Sequence, residues 1–280
     1  MEKKHDYEQS LKQHYQRPNL SVIISDALKA AGKQINSHED TAALDEFHMR
    51  GRDATRELAR LAGLVPDDAV LDLGCGLGGP ARRLAAEFGC RVTGIDVMPE
   101  YIEAADMLTQ MVGLAQQVTF RTANMLDMPF DTDSFDLVWS QHTFMNIEDK
   151  ARLFAEIRRV LRPGGRLAFY EVLSGSETPV YYPVQWASDP SINFLLAEEE
   201  LIEQITGAGF EQTHWQEMSS ECARWFQNVV DRMGKRPKDA PPPVALNLVI
   251  GRTTAEKARN TARNLAENRI RVVYGVWRRS

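Results

Sequence analysis

The residues best suited to do chemistry form a glycine-rich segment with an acid inside it and another acid further along. Asp72, Gly74, Gly76 and Gly78 satisfy the pattern D-x-G-x-G-x-G, and Asp96 ends the next apolar segment. The segment reads as a strand, a glycine turn, a helix and a second strand that ends in an acid. Units of this kind bind a nucleoside-bearing cofactor at the carboxyl edge of a parallel sheet. The sequence therefore predicts a cofactor site here.

Two cofactors are compatible with this segment. Gly74, Gly76 and Gly79 also satisfy the dinucleotide pattern G-x-G-x-x-G, so the glycines alone permit NAD or FAD. A carboxylate at Asp72 repels a pyrophosphate but holds an ammonium group, directly or through water. S-adenosylmethionine carries an ammonium group and no phosphate, whereas Asp96 suits the ribose of either cofactor. The segment favours S-adenosylmethionine, with NAD and a ligand-free turn as the alternatives.

Further motifs follow in order, and together they resemble those of class I S-adenosylmethionine-dependent methyltransferases. They include the loop after the third predicted strand and the turn Leu161-Arg-Pro-Gly-Gly165 before the fifth. The resemblance runs over roughly 45–173, with a matching final strand. Within that superfamily the chain looks most like the bacterial small-molecule branch, near ubiquinone/menaquinone and sarcosine/dimethylglycine methyltransferases. The resemblance implies S-adenosylmethionine as cofactor and a small-molecule methyl acceptor.

The resemblance also indicates which residues contact the cofactor. The loop that usually reads Gly-Asp-Ala in the family reads Ala-Asn-Met here, at 123–125. Asn124 accepts from the adenine amino group without charge assistance, so we expect it to hold adenine less strongly than an acid does. An Asn that fits a turn and a Met that fills the core are the alternatives. The other predicted cofactor contacts are Met125, Val97 and Gln141.

Two titratable side chains are expected at the same edge of the sheet. Methyl transfer is an in-line displacement, in which orientation alone lowers the barrier by about 7–11 kcal/mol in favourable cases. His142 follows the fourth predicted strand and Glu171 ends the fifth. We predict that both are catalytic, with His142 titrating near neutral pH and Glu171 pairing with it or with a cationic substrate. The alternatives are a His bonded to loop backbone and a solvent-facing Glu.

Candidate substrate contacts lie outside the minimal core. Tyr181, Tyr182 and Trp186 follow the fifth strand. They either fill the core of a lid or face the substrate, where each attracts an amine cation by about 0.5–2 kcal/mol. In related methyltransferases the segment that matches His48 and Gly51 lies beside the amino-acid end of the cofactor. The predicted substrate contacts are Tyr15, His48, Tyr182 and Trp186.

Alternating strands and helices must position these side chains. Short apolar strands linked by helices favour a parallel sheet covered on both faces. The resemblance implies that the last strand is antiparallel. The predicted fold is α/β, a doubly wound seven-stranded sheet that is mostly parallel, with a helical N-terminal segment and lid insertions. The predicted strands lie near 69–73, 91–96, 117–122, 135–140, 166–172, 209–215 and 270–277.

The chain divides into four predicted parts. A helical cap (1–50) precedes the S-adenosylmethionine-binding core (51–173). Lid insertions with the sixth strand (174–251) and a final helix and strand (252–280) follow. Leu20, Ile23, Ile24 and Leu28 recur at helical spacing in the cap, and we expect them to bury one helix face. The Pro-rich run 235–243 predicts an extended linker.

Composition narrows the functional classes. With 280 residues, 43% hydrophobic and 26% charged, the chain is typical of a globular protein with a full core. A net charge of −6 argues against a nucleic-acid partner. Three cysteines predict no metal site or disulfide framework, and the charged N-terminus predicts no signal peptide or membrane span. Between Arg252 and Arg279 the chain has eight basic and two acidic residues, expected to form a solvated face or to meet an anionic partner.

The sequence therefore predicts a cytoplasmic S-adenosylmethionine-dependent methyltransferase. We expect it to methylate nitrogen or oxygen of a small-molecule metabolite, with carbon as the lesser alternative. An NAD-dependent oxidoreductase is one competing hypothesis. The other is a non-enzymatic S-adenosylmethionine sensor that presents its basic C-terminal segment to a partner. No oligomeric state is predicted.

Overall fold

The computed structural model describes residues 2–235, 244–251 and 253–280. Residues 236–243 of the predicted linker lie outside the described residues, as does Arg252 of the basic C-terminal segment. None of the described helices combines the length and the apolar character needed to cross a bilayer.

One seven-stranded sheet carries the fold, and it confirms the predicted architecture. The strand order is β3-β2-β1-β4-β5-β7-β6. The first five strands pair in parallel, and β7 is antiparallel to both of its neighbours, β5 and β6. The strands are β1 Ala69–Leu73, β2 Arg91–Asp96, β3 Val118–Thr122, β4 Phe135–Gln141, β5 Leu161–Ser174, β6 Phe210–Glu217 and β7 Ile270–Arg279.

Strand β5 begins earlier than its apolar run predicts. Leu161 already pairs with Phe135 of β4, and the register then shifts before Arg166 pairs with Leu137. The Pro-Gly-Gly turn is thus an irregular start of the strand. A bulge of this kind bends a strand while keeping it in the sheet.

Helices cover both faces of the sheet. Successive strand residues enter different apolar clusters: Val70 and Trp139 pack in one cluster, and Leu71 and Val138 pack in the other. This alternation follows from the two-residue period of a strand, so both faces are buried as predicted. The helices are α1 Glu2–Tyr15, α2 Leu20–Ala30, α3 His38–Asp45, α4 Arg52–Leu61, α5 Gly79–Phe88, α6 Pro99–Met111, α7 Lys150–Val160, α8 Glu198–Gly207, α9 Ser219–Lys235, α10 Asn247–Ile250 and α11 Thr254–Ala266.

Helix α2 of the cap buries one face, with one difference from the prediction. Leu20, Ile24 and Leu28 are buried in a cluster with residues of α6, whereas Ile23 is 42% exposed. The three buried residues are four apart and form one stripe along the helix. Ile23 lies beside that stripe, so the expectation that it is buried is wrong.

Side chains join the cap to the lid above the carboxyl ends of the strands. Tyr15 donates to Oδ1 of Asn146 (2.7 Å), and Nδ2 of Asn146 donates to the carbonyl of Trp186 (2.9 Å). Nε2 of His14 donates to the carbonyl of Gln185 (2.8 Å). The cap and the lid are therefore tied together across the edge where ligands bind in such sheets. Their independence as domains stays a prediction.

Candidate active site

A cavity of about 860 Å³ lies at the carboxyl ends of β1, β2 and β4, beneath the cap and the lid. Its volume is within the range of small-molecule sites, roughly 300–1,000 Å³. Most of the predicted site residues line it, but Gly78, Glu171 and Tyr182 do not. The predicted residues that line it are Tyr15, His48, Asp72, Gly74, Gly76, Asp96, Val97, Asn124, Met125, Gln141, His142 and Trp186.

Asp72 is a buried carboxyl group without a cationic partner. It is 2% exposed, and its Oδ2 has no hydrogen-bond partner among the described residues. Burial, reinforced by the nearby Asp96 and Glu46, raises the pKa of Asp72 to about 8. A buried carboxyl in this state gains an ion pair from an incoming ammonium group. Asp72 therefore fits the amino-acid end of S-adenosylmethionine.

Packing against neighbouring side chains requires glycine at two positions of the turn. Gly74 has a φ of +68°, and a Cβ there would lie 2.5 Å from Cγ2 of Thr143. Gly78 has a φ of +75°, and a Cβ there would lie 2.3 Å from the ring of Phe120. Side chains are excluded at both positions. Because Gly78 does not line the cavity, its expected cofactor contact is replaced by a packing role.

Asp96 lies between the turn and the cavity. Its Oδ2 accepts from the backbone N–H of Gly76 (3.1 Å), and its Oδ1 accepts from the N–H of Met98 (2.9 Å). Burial raises its pKa despite these hydrogen bonds. Each oxygen keeps a second lone pair, so the carboxyl can still accept from a ribose diol. Val97, 38% exposed, lines the cavity beside it.

Asn124 makes the turn contact that one interpretation predicted, whereas its contact with adenine stays a prediction. Its Oδ1 accepts from the backbone N–H of Leu126 (2.9 Å), which is a turn contact, and the residue also lines the cavity. Met125 likewise is buried in the core and faces the cavity. Asp127, which the sequence analysis did not single out, lies in the same loop and lines the cavity.

Gln141 presents an amide nitrogen without a partner. Its Oε1 accepts from Nε1 of Trp139 (3.1 Å) and from Oγ1 of Thr55 (3.2 Å). Its buried Nε2 has no hydrogen-bond partner among the residues described. An amide with its oxygen satisfied and its nitrogen free suits a carboxylate ligand. No sequence motif indicated Thr55, which lies in α4.

His48 is held in a buried polar cluster. Its Nε2 lies 2.9 Å from the carbonyl oxygen of Gly51, 3.1 Å from Oγ1 of Thr55 and 3.3 Å from Oε2 of Glu46. Burial lowers the pKa of His48 to about 4. The ring is therefore neutral at pH 7 and contributes a fixed polar wall to the cavity.

His142 lies in the loop after β4 with a φ of +51°. Its backbone N–H donates to the carbonyl of Tyr170 (2.7 Å), and the two rings are 4.6 Å apart. Nε2 is buried without a partner among the described residues. Burial and the nearby His48 hold the pKa of His142 well below its usual value of 6.5. The expectation that it titrates near neutral pH is therefore wrong.

Glu171 positions the loop that carries His142. It is 1% exposed, and its Oε1 accepts from the backbone N–H groups of Thr143 (2.9 Å) and Phe144 (3.0 Å). Burial raises its pKa to about 7. The side chain packs beneath the cavity instead of lining it, because it turns back to these N–H groups. It is a positioning residue in this geometry, and it does not face solvent.

The lid aromatics have different surroundings. Trp186 is 2% exposed and lines the cavity. Tyr182 packs against the apolar core and does not line the cavity, which corrects its prediction as a substrate contact. The ring of Tyr181 is covered by guanidinium groups, that of Arg263 at 3.7 Å and that of Arg269 at 4.2 Å. Its cation–π partners are therefore residues of this chain.

Cationic side chains at the cap end of the cavity were missed. Lys12 and Arg17 from the cap line the cavity together with Lys257 of α11. The basic C-terminal segment is evident in the sequence, but no sequence pattern predicts that Lys257 lies near the cap. That placement depends on how α11 packs.

Comparison with known proteins confirms the predicted resemblance to class I methyltransferases. Residues 71–169 match a family model described as a methyltransferase domain. The matched segment contains the glycine turn, Asp96 and the loop with His142. This match does not support the hypothesis of an NAD-dependent oxidoreductase.

Three similar proteins show how varied the relatives are. The chain is 38% identical to the chloroplastic tocopherol O-methyltransferase of Arabidopsis thaliana, over 62% of this chain and 52% of that protein. It is 32% identical to the sarcosine/dimethylglycine N-methyltransferase of Halorhodospira halochloris, over 51% of this chain and 50% of that protein. The geranyl diphosphate C-methyltransferase of Streptomyces coelicolor A3(2) has the same fold, with a TM-score of 0.69, 17% identity and 98% of each chain covered. The chain spans about half the length of the curated relatives.

Proposed function

We propose that this protein transfers a methyl group from S-adenosylmethionine to a small molecule, a proposal supported by the match of residues 71–169 to a methyltransferase-domain model. The observation that carries the proposal is Asp72, a buried carboxyl beside a glycine turn with no partner for its Oδ2 among the described residues. An ammonium ligand matches that group, whereas a pyrophosphate would meet both Asp72 and Asp96. The NAD-dependent alternative is disfavoured for this reason.

The cavity offers a partner for each polar part of the cofactor. Asp72 suits its ammonium group, the free amide nitrogen of Gln141 its carboxylate, and Asp96 its ribose hydroxyls. Asn124 and Met125 suit its adenine. When bound, the cofactor supplies an electrophilic methyl carbon on a sulfonium, which is already a good leaving group.

The residues of this chain then have two tasks. The cap and the lid exclude water, through the hydrogen bonds from Tyr15 to Asn146 and from Asn146 to Trp186. The neutral ring of His142 offers a nitrogen that can orient a hydroxyl or amine of the acceptor, and Glu171 holds the loop that carries the ring. A polar nitrogen in this position supports nitrogen or oxygen as the acceptor atom.

A sensor without catalytic activity is a weaker alternative. Beyond the groups that suit the cofactor, the cavity continues beneath the cap past Trp186 and Asn146. That additional space is expected for a second, reacting ligand and has no role in a protein that binds the cofactor alone.

We also propose a cytoplasmic location, supported by three buried cysteines that are all free thiols.

Calorimetric titration of the purified chain tests the proposal. We expect S-adenosylmethionine to bind and NADH not to bind. Asp72→Asn keeps the shape but cannot ionise to pair with the ammonium group, so it should weaken S-adenosylmethionine binding about tenfold or more. Asp26→Asn, at an exposed position of α2, is the matched control and should bind as the parent does. Saturation by NADH, or equal affinity in Asp72→Asn, would refute the proposal.

A further inference from the structure

A basic corner, formed by Lys12, Arg17 and Lys257, lies at the cap end of the cavity. The three residues come from the C-terminal half of α1, the segment that follows it and the first turn of α11. Lys12 is exposed, Arg17 is half-buried and Lys257 is 4% exposed. The corner therefore leads from solvent to Lys257, a largely buried lysine that lines the cavity.

Lys257 has no hydrogen bond or ion pair with any residue that the structure describes. Burial and, with a smaller effect, the charge of Arg17 lower its pKa to about 8. At neutral pH the amine is still mostly protonated. A buried cation without a counter-ion is unfavourable, so an anion that reaches it gains a charge-assisted contact.

Arg17 also forms no ion pair with any acid that the structure describes. Its Nε donates to the carbonyl of Val249 (2.7 Å), its Nη1 to that of Gln16 (2.7 Å) and its Nη2 to that of Ile250 (3.4 Å). These neutral acceptors fix the guanidinium in place and leave its charge uncompensated. The carbonyls belong to α10 and to Gln16, the residue that follows α1, so the cap and the lid both hold it.

The neighbouring groups do not supply a counter-charge at the corner. His14 is bonded to Gln185 and Ser188, and burial, with Lys257 next in effect, lowers its pKa to about 4, so its ring is neutral. Asp189 raises the pKa of His14 only slightly and accepts from the N–H of Ser191 (2.8 Å). Acidic residues such as Asp45 and Asp96 line the same cavity, but none of the described acids forms an ion pair with Lys257 or Arg17, and Asp45 is paired with Arg82.

We propose that the methyl acceptor carries an anionic group, a carboxylate or a phosphate, which binds to Lys257 and Arg17 in this corner. The inference rests on the proposed function and specifies its substrate class. The anion fixes one end of the acceptor, with Lys12 attracting it at the entrance. The nucleophilic atom of the acceptor is then free to face the methyl group at the other end of the cavity.

Anion binding can be measured without knowing the substrate. The full chain is titrated with inorganic phosphate, followed by ³¹P line width, and separately with ¹³C-labelled acetate, at constant ionic strength in chloride buffer. We expect at least one of the two anions to bind and to bind about tenfold more weakly to Lys257→Met. Lys257→Gln is a second variant in case Met alters the packing. Lys29→Met, an exposed lysine in α2, makes the same charge change away from the cavity and should bind the anion as the parent does.

The two anions separate the two sources of negative charge. If only the phosphate signal broadens, the acceptor is a phosphorylated compound. If only the acetate signal broadens, the acceptor is a carboxylic acid. Absence of binding by both anions, or equal binding in both Lys257 variants, overturns the inference. Calorimetry with S-adenosylmethionine on the same preparation shows separately whether the proposed function has failed.

The labelled product provides an independent test. The chain is incubated with methyl-labelled S-adenosylmethionine and a metabolite extract, and the product is passed over an anion-exchange resin. We expect the label to be retained on the resin and its formation to be reduced in Lys257→Met and unchanged in Lys29→Met. A labelled product that flows through uncharged would refute the anionic acceptor while supporting methyl transfer.

Discussion

Individual residues of the site are governed by burial more than by their neighbours in sequence. Asp72 and Glu171 have raised pKa values because burial penalises their charged forms. His48 and His142 have lowered pKa values for the same reason. All four groups therefore favour their neutral forms in the free protein. Ligand binding is expected to change these protonation states, and pH dependence is a direct way to observe it.

Cofactor binding should release a proton through Asp72. In the free protein its pKa is about 8, so the group is mostly protonated at pH 7. An ammonium ligand favours the carboxylate, so the apparent affinity should rise as the pH increases from about 6 to 8 and level off above the free pKa. Calorimetry in buffers of different ionisation enthalpy measures the released protons. Asp72→Asn should lose this dependence, and an unchanged pH profile in that variant would assign the proton to another group.

His142 should affect turnover with little effect on cofactor affinity. His142→Ala removes the unpartnered Nε2 from the cavity, and we expect kcat to fall about tenfold or more, or about 1.4 kcal/mol in the barrier. Because its pKa lies well below 6.5, the parent enzyme should show no loss of activity between pH 6.5 and 7.5 that depends on this ring. Initial rates across that range test the point. A kcat unchanged by the substitution would contradict the placement of His142 beside the acceptor.

Secondary-structure elements were more predictable than the side chains at their ends. Apolar runs identified β1 and β4 because a strand buried on both faces must be apolar along most of its length. The same reasoning located Asp72 and Asp96 at the ends of strands. It could not tell that Glu171 bends back to bond the loop after β4, nor that α11 places Lys257 in the cavity. Both outcomes depend on packing between elements distant in sequence.

The loop after β4 should depend on Glu171 for its conformation. Glu171→Ala leaves the N–H groups of Thr143 and Phe144 without an acceptor, at a cost of about 1–3 kcal/mol for each buried group. We expect a lower midpoint of thermal unfolding and a lower kcat. Glu171→Gln keeps an acceptor oxygen and should restore most of the stability. If Gln is as damaging as Ala, the carboxylate charge has a direct role that this geometry does not reveal.

The whole molecule closes its cavity with parts that lie far apart in the chain. The cap contributes Tyr15, the loop after β4 contributes Asn146, and the lid contributes Trp186. The core alone would leave the carboxyl edge of the sheet open to water. Methyl transfer depends on exclusion of water and alignment, so closure by the cap and the lid should control both substrate affinity and turnover.

Tyr15→Phe tests that closure, because it removes one hydroxyl and retains the ring. The hydrogen bond to Asn146 is partly buried, and its loss should cost about 1 kcal/mol and leave Oδ1 of Asn146 without its donor. We expect faster hydrogen exchange in α1 and a higher KM for the acceptor, with exchange in β1 and β4 unchanged. Tyr181→Phe is the matched control, because the ring of Tyr181 contacts Arg263 and Arg269 and does not line the cavity. Faster exchange throughout the sheet would indicate general destabilisation, and an unchanged KM would show that the cap does not limit access to the cavity.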